Sequence, residues 1–309
     1  MDAFKIKGGN RLLDYRIGKP LDLTRINEFL SKKYKNIKLR QGGRHILGTL
    51  ENNYQSYFIK LATTVGIGER LKSEKLWCEQ FNKWSMNDYY IVPNFYDDGY
   101  VDDLYYIVIS NLTSGPEIAS LNGEVNFIKQ YMDQVISFSE YIQGLPLDIP
   151  VNDAVENPNH QKWFVEKTRS WLDAIPREII EEFEIKKLFN IIEEGASSLD
   201  KKPRHGDFTP WHMMIYDEKA IALIDGEHAH SHGVEYYDVC YFIQRVHSIL
   251  GKPEHARTLY DELLKRGYDK QKLKTVLASR AIGGFLDESF KTNGDYQSEN
   301  DFKNWVLKL

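Results

Sequence analysis

The chain has 309 residues, of which 42% are apolar and 28% are charged, and its formal net charge is −5. This length is sufficient for two lobes, each with its own core, and no apolar run approaches the roughly 18 residues of a membrane span. The acidic balance argues against a general nucleic-acid-binding protein, because no excess of basic residues is available to neutralise phosphates.

The first third of the chain is predicted to be rich in β-strands. Apolar periodicity and β-branched runs indicate five segments: helices over 21–34 and 69–84, a hairpin over 37–50 that turns at Gln41-Gly42-Gly43, and strands over 54–61 and 105–109. The turn-forming run 111–116 follows the last strand. We therefore expect a lobe boundary there, with residues 1–110 forming one lobe and residues 111–309 the other.

The remainder of the chain is predicted to be mainly helical. The helical segments are an apolar stripe over 125–136, then 163–172, 179–192, 236–250 and 255–309, with a loop at 144–159 and short strands within 204–229. A small β-rich N-lobe followed by a larger helical C-lobe is an α+β fold. The groove between two such lobes is the default position for a ligand site.

Two carboxylates in the second lobe are candidates for chemistry. Asp207 follows His205 and Gly206 in a turn, and Asp225 comes 18 residues later, at the end of an apolar strand. Taken alone, each acid can also be a turn residue, and for Asp225 alone that is the better interpretation. The strand-turn-strand pattern between them predicts that they lie close together. One carboxylate could then accept a proton from a hydroxyl while the other holds a metal ion that carries phosphate, as phosphoryl transfer requires.

A lysine and a glutamate in the first lobe form a second candidate pair. Lys60 ends an apolar strand, and Glu74 follows 14 residues later on the predicted helix. A lysine on a strand can hold nucleotide phosphates while a helical glutamate positions it. Glu69 and Glu79 are alternative partners, and a solvated surface charge is the alternative for every one of these residues. Glu74 is preferred because it lies near the apolar face.

These motifs, in this order, resemble the aminoglycoside phosphotransferase and choline kinase family, whose members have a protein-kinase-like two-lobe fold. The residues that carry the resemblance are Ile59-Lys60-Leu61, Glu74, His205-Gly206-Asp207-Phe208-Thr209-Pro210-Trp211, Leu223-Ile224-Asp225-Gly226-Glu227 and Asp238. The resemblance extends from about residue 37 to about residue 245. It implies a kinase that transfers the γ-phosphate of ATP or GTP to a hydroxyl of a small molecule, with Mg²⁺ as its metal.

The resemblance also implies a role for each matching residue. Lys60, held by Glu74, would bind the nucleotide phosphates. Asp207 would be the catalytic base, and Asp225 would bind Mg²⁺. The other implied roles are structural support of the catalytic loop by His205 and Asp238, nucleobase contacts from the hinge at Ser110 and Leu112, and cover of the phosphates by Gly42 and Gly43.

One position departs from the family pattern. His212 stands five residues after Asp207, where the family usually has an asparagine that binds the metal. A neutral imidazole is a poor ligand for Mg²⁺ and a better one for Mn²⁺ or Zn²⁺. Three outcomes are open: the metal rests on Asp225 with His212 behind it, the enzyme uses Mn²⁺, or catalysis is weak. The first is favoured, because Lys60, Asp207 and Asp225 are all present.

The acceptor site is left open by the sequence. Glu227, His228 and Trp211 are candidate substrate contacts, and Trp163 and Trp171 are aromatic alternatives that core packing explains equally well. Aminoglycosides, amino sugars, choline-like alcohols, nucleosides and lipid-linked sugars all remain possible acceptors. The oligomeric state is likewise undetermined.

Two other functions compete with the kinase. His212 motivates a nucleotide-binding protein with weak or no catalysis on the same fold. The alternating histidines at 228, 230 and 232 would share one face of an extended segment and motivate a metal-dependent hydrolase. Cys78 and Cys240 lie in apolar helical stretches, which predicts buried free thiols in a reducing compartment. With no signal peptide at the N-terminus, we expect a cytoplasmic protein.

Overall fold

The structure is a computed structural model that describes residues 2–52, 55–112, 115–155, 159–216 and 219–309. Its first part contains eight strands and two helices: β1 Lys5–Gly8, β2 Arg11–Asp14, α1 Leu23–Leu30, β3 Lys35–Gly42, β4 His45–Asn52, β5 Gln55–Ala62, α2 Val65–Trp84, β6 Tyr90–Ile91, β7 Phe95–Val101 and β8 Leu104–Ser110. The predicted hairpin at 37–50 is confirmed as β3–β4. Tyr54 in one predicted strand, and Thr113 and Ser114 in the predicted turn, lie outside the described residues.

Five of these strands form an antiparallel sheet in the order β3-β4-β5-β8-β7. Ile59 and Leu61 of β5 are buried in an apolar cluster on one face of this sheet. Because successive side chains of a strand point to opposite faces, Lys60 between them points to the other face, where α2 lies. The alternation of side chains along β5 therefore places Lys60 in the interior of the protein.

Helix α2 is longer than the sequence pattern predicts. It begins at Val65, where the side chain of Thr64 accepts a hydrogen bond from the backbone N–H of Ile67 at 3.3 Å. Trp77 and Phe81 bury one face of the helix against the main core, and Glu74 is buried on the same helix. This packing fixes the position of Glu74 beneath the sheet.

The second part of the chain is mainly helical. Its elements are α3 Met132–Gly144, α4 His160–Leu172, α5 Arg177–Glu182, α6 Lys186–Gly195, β9 Lys201–Arg204, β10 Met213–Ile215, β11 Ile221–Leu223, β12 His230–Val234, α7 Tyr237–Gln244, α8 Pro253–Lys265, α9 Lys270–Ser289 and α10 Tyr296–Lys308. Helix α9 is almost entirely buried and packs against α4, α6, α7 and α10. Residues 156–158 of the predicted loop and 217–218 of the predicted turn lie outside the described residues.

Two further helix predictions are wrong in their extent. The predicted stripe over 125–136 becomes helical only at Met132. Before it, the hydroxyl of Ser120 accepts from the backbone N–H of Val125, and the side chain of Asn126 accepts from the N–H of Ile128. Such local side-chain bonds compete with the helical ladder. The predicted helix over 179–192 is broken into α5 and α6 at Glu184, whose φ is +49°.

The main hydrophobic core joins the two halves of the chain. The β1–β2 hairpin, which the sequence pattern missed, lies against the second half: the N–H of Lys7 donates to the carbonyl of Asn152 at 2.6 Å. Strand β6 pairs in parallel with β11. The division at residue 110 therefore marks a change in secondary structure, and a division into two lobes there stays a prediction.

Cys78 and Cys240 are both buried and form no disulfide, as predicted. Each helix in the described part of the chain is too short or too polar to cross a lipid bilayer.

Candidate active site

A buried lysine links the sheet to the second half of the chain. The side-chain amine of Lys60, which is 6% exposed, donates hydrogen bonds to Glu74 Oε2 at 2.6 Å and to Asp225 Oδ1 at 2.5 Å. Burial opposes the charge on this amine, but the carboxylates of Asp225 and Glu74 outweigh burial and raise its pKa. The Lys60–Glu74 and Lys60–Asp225 contacts place three of the predicted site residues together.

The loop that carries Asp207 is held by its neighbours. Strand β9 ends at Arg204, and Gly206 then takes φ +85°. A Cβ on Gly206 would lie 2.4 Å from the backbone oxygen of His228, so this position requires glycine. Asp238 at the start of α7 accepts hydrogen bonds from the backbone N–H groups of His205 at 2.8 Å and Gly206 at 2.9 Å. These bonds present Asp207 at the end of the turn.

Asp238 and His205 are both buried beneath this loop. Burial raises the pKa of Asp238 to about 6, although the two N–H donors favour its carboxylate form. Burial lowers the pKa of His205 to about 3, so its imidazole is neutral, and its ring packs edge-on against Trp77 with centroids 5.2 Å apart. Their contacts therefore fit the structural roles that the sequence predicted for both.

Asp225 lies in a tight turn with a left-handed backbone conformation. Its φ is +68°, in the left-handed region that aspartate tolerates better than most residues. A Cβ on the following Gly226 would lie 2.2 Å from the ring of Trp77. Because Trp77 of α2 lies so close, the residue after Asp225 must be glycine. The Asp225 carboxylate lies next to the Lys60 amine.

The two acids converge around His212. One ligand atom each from Asp207, His212 and Asp225 lies within 4.8 Å of the others. His212 Nδ1 is 3.5 Å from Asp207 Oδ2, and His212 Nε2 is 3.4 Å from Asp225 Oδ2. Burial disfavours the imidazolium, yet the carboxylates of Asp207 and Asp225 outweigh it and raise the pKa of His212. Burial also opposes the charge on Asp225, but the Lys60 amine prevails and lowers the pKa of that carboxyl.

This cluster fits a divalent cation. Carboxylate oxygens suit Mg²⁺, and the imidazole nitrogen adds a ligand that Mn²⁺ accepts more readily. The histidines at 228, 230 and 232, in contrast, form no group of metal ligands among the residues that the structure describes. His228 lies beside Glu227, His230 packs against Trp163, and His232 lies beside Lys201. The hydrolase hypothesis consequently has no support from the geometry.

Glu227 is buried and contacts residues that follow the β3–β4 turn. It is 1% exposed, and its carboxylate accepts a hydrogen bond from Arg44, which follows the β3–β4 turn. His45 Nε2 is 3.4 Å from the same carboxylate. Glu227 Oε1 is therefore engaged by Arg44, whereas Oε2 forms no hydrogen bond within the described residues, and a substrate contact at Glu227 stays a prediction. Its observed contacts anchor the turn at Gly42 and Gly43 to the second half of the chain.

The two predicted hinge residues, Ser110 and Leu112, both make contacts within the protein. The N–H of Ser110 donates to the carbonyl of Asn94 at 2.9 Å, so that group is not available to a nucleobase. Leu112 is buried in a small apolar cluster with Met214 and Ala222. Ile91 and Ile224 pack against the same cluster. An apolar surface near the hinge suits the face of a purine ring, whereas Ser110 offers less than the sequence suggested.

A cavity of about 260 Å³ adjoins Asp207 and Gly206. Trp171 and His228, which the sequence offered as candidate substrate contacts, both line this cavity. Trp211 and Trp163 do not line it: Trp211 contacts the ring of His212, and Trp163 is buried in the core. Six cationic side chains also line the cavity, namely Arg16, Arg44, Arg70, Lys167, Arg204 and Arg280. None of these six was among the residues predicted to contact the acceptor, because they come from separate elements along the whole chain.

Solved structures provide the comparison for this arrangement. No protein-family model and no curated protein sequence matches the chain. The aminoglycoside phosphotransferase APH(4)-Ia is similar, with a TM-score of 0.65 at 10% identity over 93% of this chain and 96% of that one. The choline kinase LicA from Streptococcus pneumoniae has a TM-score of 0.57 at 15% identity, over 93% of this chain and 97% of that one. The chain has the fold of the small-molecule phosphotransferases.

The kinase-like fold that the sequence resemblance implied is therefore confirmed. A putative fructosamine-3-kinase from Haemophilus somnus also has this fold, with a TM-score of 0.56 at 14% identity over 92% of this chain and 97% of that one. At such identities the likeness concerns the fold, so any activity must be argued from the residues of the site itself.

Proposed function

We propose that this protein transfers the terminal phosphate of ATP or GTP to a hydroxyl group of a small molecule. The observation that carries the proposal is the convergence of Lys60, Asp207 and Asp225 on one site, from elements 147 and 18 residues apart in sequence. A phosphoryl-transfer site needs a cation for the phosphates, a metal-binding acid and an acceptor-binding acid, and these three residues are of those types.

Each residue has a role in this reaction. Lys60, oriented by Glu74, would bind phosphate oxygens of the donor nucleotide. A bound Mg²⁺ or Mn²⁺ would neutralise phosphate charge, with Asp225 and His212 as its available ligands. Asp207 would orient the acceptor hydroxyl. The hydroxyl oxygen bonds to the γ-phosphorus, the bond from that phosphorus to the β–γ bridging oxygen breaks, the proton passes to Asp207, and the nucleoside diphosphate leaves.

The fold neighbours agree with this proposal. One structure of APH(4)-Ia is a ternary complex with ADP and hygromycin B, with a TM-score of 0.64 and 11% identity. The other candidate, a nucleotide-binding protein without catalysis, draws on His212, which lies between the two acids. Because Asp207 and Asp225 both lie next to His212, and Lys60 contacts Asp225, transfer is the better supported of the two.

Replacement of Asp207 by asparagine tests the proposal. The variant D207N should lose nucleoside diphosphate release in the presence of an acceptor mixture, while its affinity for ATP or GTP changes little. The exposed Asp88 offers a matched control, since D88N removes the same charge at a position outside the cluster. Full turnover by D207N would disprove the role of Asp207. Nucleotide binding without turnover in the wild-type protein, across all acceptors, would favour the binding protein instead.

A further inference from the structure

The cavity beside Asp207 is lined by more cationic than acidic side chains. Of its six cationic side chains, Arg44 is paired with Glu227, and both Arg70 and Lys167 face Asp153. The carboxylate of Asp287 is taken by Arg245, 2.6 Å away. Most of the acidic groups in and around the cavity are therefore already matched to a cation.

Three guanidinium groups form no salt bridge among the described residues: those of Arg16, Arg204 and Arg280. The carboxylate of Asp238 interacts with Arg204 only through longer-range electrostatics. Arg204 is 6% exposed and Arg280 is 4% exposed. The Nε atoms of both are buried and have no hydrogen-bond partner in the part of the chain that the structure describes. Burying a cation with unsatisfied donors is costly unless a partner is supplied. The protein thus keeps positive charge and free donor capacity at this cavity.

Aromatic rings hold these two arginines in place. The guanidinium carbon of Arg204 is 3.7 Å from the ring centroid of Tyr237, and that of Arg280 is 3.9 Å from the centroid of Tyr241. Arg280 also donates to the hydroxyl of Tyr237 at 2.8 Å. Stacking on rings fixes the plane of a guanidinium group while leaving edge N–H groups free to bind an oxyanion. The arginines are preorganised for such a ligand.

His230 supplies a further donor to the same cavity. Its Nδ1 accepts a hydrogen bond from the backbone N–H of His232 at 3.2 Å. Burial, together with the positive charge of Arg204, lowers the pKa of His230, so the ring is neutral and carries its proton on Nε2. That Nε2 is buried and has no partner among the described residues. A neutral N–H donor beside cations is suited to an anionic oxygen.

We infer that the acceptor is an alcohol that carries an anionic group, a phosphate or a carboxylate, which Arg204 and Arg280 bind while Asp207 receives the hydroxyl. This inference rests on the proposed kinase function and narrows its substrate class. An aminoglycoside or a choline-like cation would meet like charge in this cavity. The cavity volume of about 260 Å³ lies just below the range of about 300–1,000 Å³ usual for drug-sized ligands, which favours a small metabolite.

A set of acceptors with one carbon skeleton and different charges tests the inference. Glucose 6-phosphate, gluconate, glucose and glucosamine would be compared by nucleoside diphosphate release with ATP and with GTP. We expect kcat/KM for at least one anionic compound to exceed that for glucose by about tenfold or more, as a charge-assisted contact provides, and glucosamine to be the poorest. The two anionic compounds separate phosphate from carboxylate recognition. Preference for glucose or glucosamine would overturn the inference and leave the kinase proposal standing.

Variants of the cavity provide a second test. R204Q and R280Q should raise KM for the anionic acceptor about tenfold or more, with little change in nucleotide affinity, and the lysine variants should recover part of the loss. R177Q, at an exposed position on α5, is the matched control. R16Q serves if a buried variant does not fold, because Arg16 is only partly buried. Loss of nucleotide affinity with an unchanged acceptor KM would instead assign the cavity to the phosphate donor.

A binding measurement tests whether the cavity recognises an anionic group even if none of the four compounds is phosphorylated. Calorimetric titration of the wild-type protein with inorganic phosphate and with glucose 6-phosphate should show saturable binding that R204Q or R16Q weakens about fivefold or more. Equal affinity in wild type and variants, or no binding to either anion, would overturn the inference. Failure of the kinase proposal itself has a different signature, since the wild-type protein would then not bind ATP or GTP with Mg²⁺ or Mn²⁺.

Discussion

Lys60 of β5 donates a hydrogen bond to Asp225, 165 residues later in the chain, over 2.5 Å. The bond joins the sheet of the first half to the turn that follows β11. Its amine also holds Glu74, so one cation is shared between two carboxylates in a largely buried site. The contact has a consequence for stability.

Replacement of Lys60 by methionine should destabilise the protein. Removing the cation leaves Glu74 and Asp225 close together without their shared partner, and breaking a buried pair in this way typically costs about 3–5 kcal/mol. Urea unfolding without nucleotide would measure the loss. The double variant K60M/E74Q should recover part of it, because one buried carboxylate is then removed.

The partly exposed Lys75 provides the control for this experiment. It lies on α2 and pairs with Asp98 at 3.1 Å, with 27% of its side chain exposed. K75M should lose no more than about 1 kcal/mol, as partly exposed ion pairs usually do. Equal losses in K60M and K75M would show that the buried pairing contributes nothing special.

A substitution at Gly206 should separate backbone strain from steric exclusion. Gly206 and Gly267 both have φ +85°, but a Cβ on Gly267 would meet nothing within 4 Å, whereas one on Gly206 would strike the backbone oxygen of His228. G267A should therefore cost about 1–2 kcal/mol, the strain of a left-handed alanine. G206A should cost clearly more and remove activity, because the loop before Asp207 must shift.

Thermal unfolding and activity of the two glycine variants would be measured side by side. Similar melting temperatures for G206A and G267A would mean that the loop yields easily. The steric argument for the shape of the 205–207 turn would then be wrong.

His212 gives a prediction about the metal. In H212N an amide oxygen replaces the imidazole between Asp207 and Asp225, and Mg²⁺ prefers oxygen ligands more strongly than Mn²⁺ does. The ratio of kcat/KM with Mg²⁺ to that with Mn²⁺ should rise severalfold in this variant. H255N, at a partly buried position on α8, should leave the ratio unchanged. An unaltered ratio in H212N would place His212 outside the metal's ligands.

The sequence predicted the cluster around Lys60 and Asp225 better than the cavity beside Asp207. Lys60, Glu74, Asp207 and Asp225 could be found because strand alternation, helix spacing and a hairpin are local patterns whose geometry follows from the chain itself. Arg204 and Arg280 could not, since β9 and α9 meet only through tertiary packing around Tyr237. Runs of arginine in sequence would have signalled a basic site, but here each arginine comes from a different element.

The errors in secondary structure have a similar cause. Periodicity extended the helix before α3 back to residue 125, but the hydroxyl of Ser120 and the amide of Asn126 form local bonds that exclude a helix. The break between α5 and α6 depends on a positive φ at Glu184. The stretch contains no glycine or asparagine at that position from which a positive φ could have been predicted. The β1–β2 hairpin is short, and its position depends on contacts with residues about 150 positions later.

Glu299 on α10 should make stability dependent on pH. Burial raises the pKa of its carboxyl to about 7, against an ordinary value near 4.5, although Arg245 and the amide of Gln244 favour the charged form. A carboxyl with a raised folded-state pKa contributes most below its unfolded pKa, and the contribution is lost as pH rises through about 7. The free energy of unfolding should therefore decline between pH 5 and pH 8 because of this group.

E299Q should remove much of that decline. The amide carries no charge at pH 8, and it can donate to Gln244 Oε1, which is buried and lacks a partner among the described residues. At pH 8 the variant should be more stable than the wild type by about 1–3 kcal/mol, and at pH 5 the two should be nearly equal. Urea unfolding at both pH values would measure this, with the exposed E194Q on α6 expected to follow the wild type. A variant that loses stability equally at pH 5 and pH 8 would show that the Glu299 carboxyl is retained for its packing and hydrogen bonds, and that its ionisation does not limit stability.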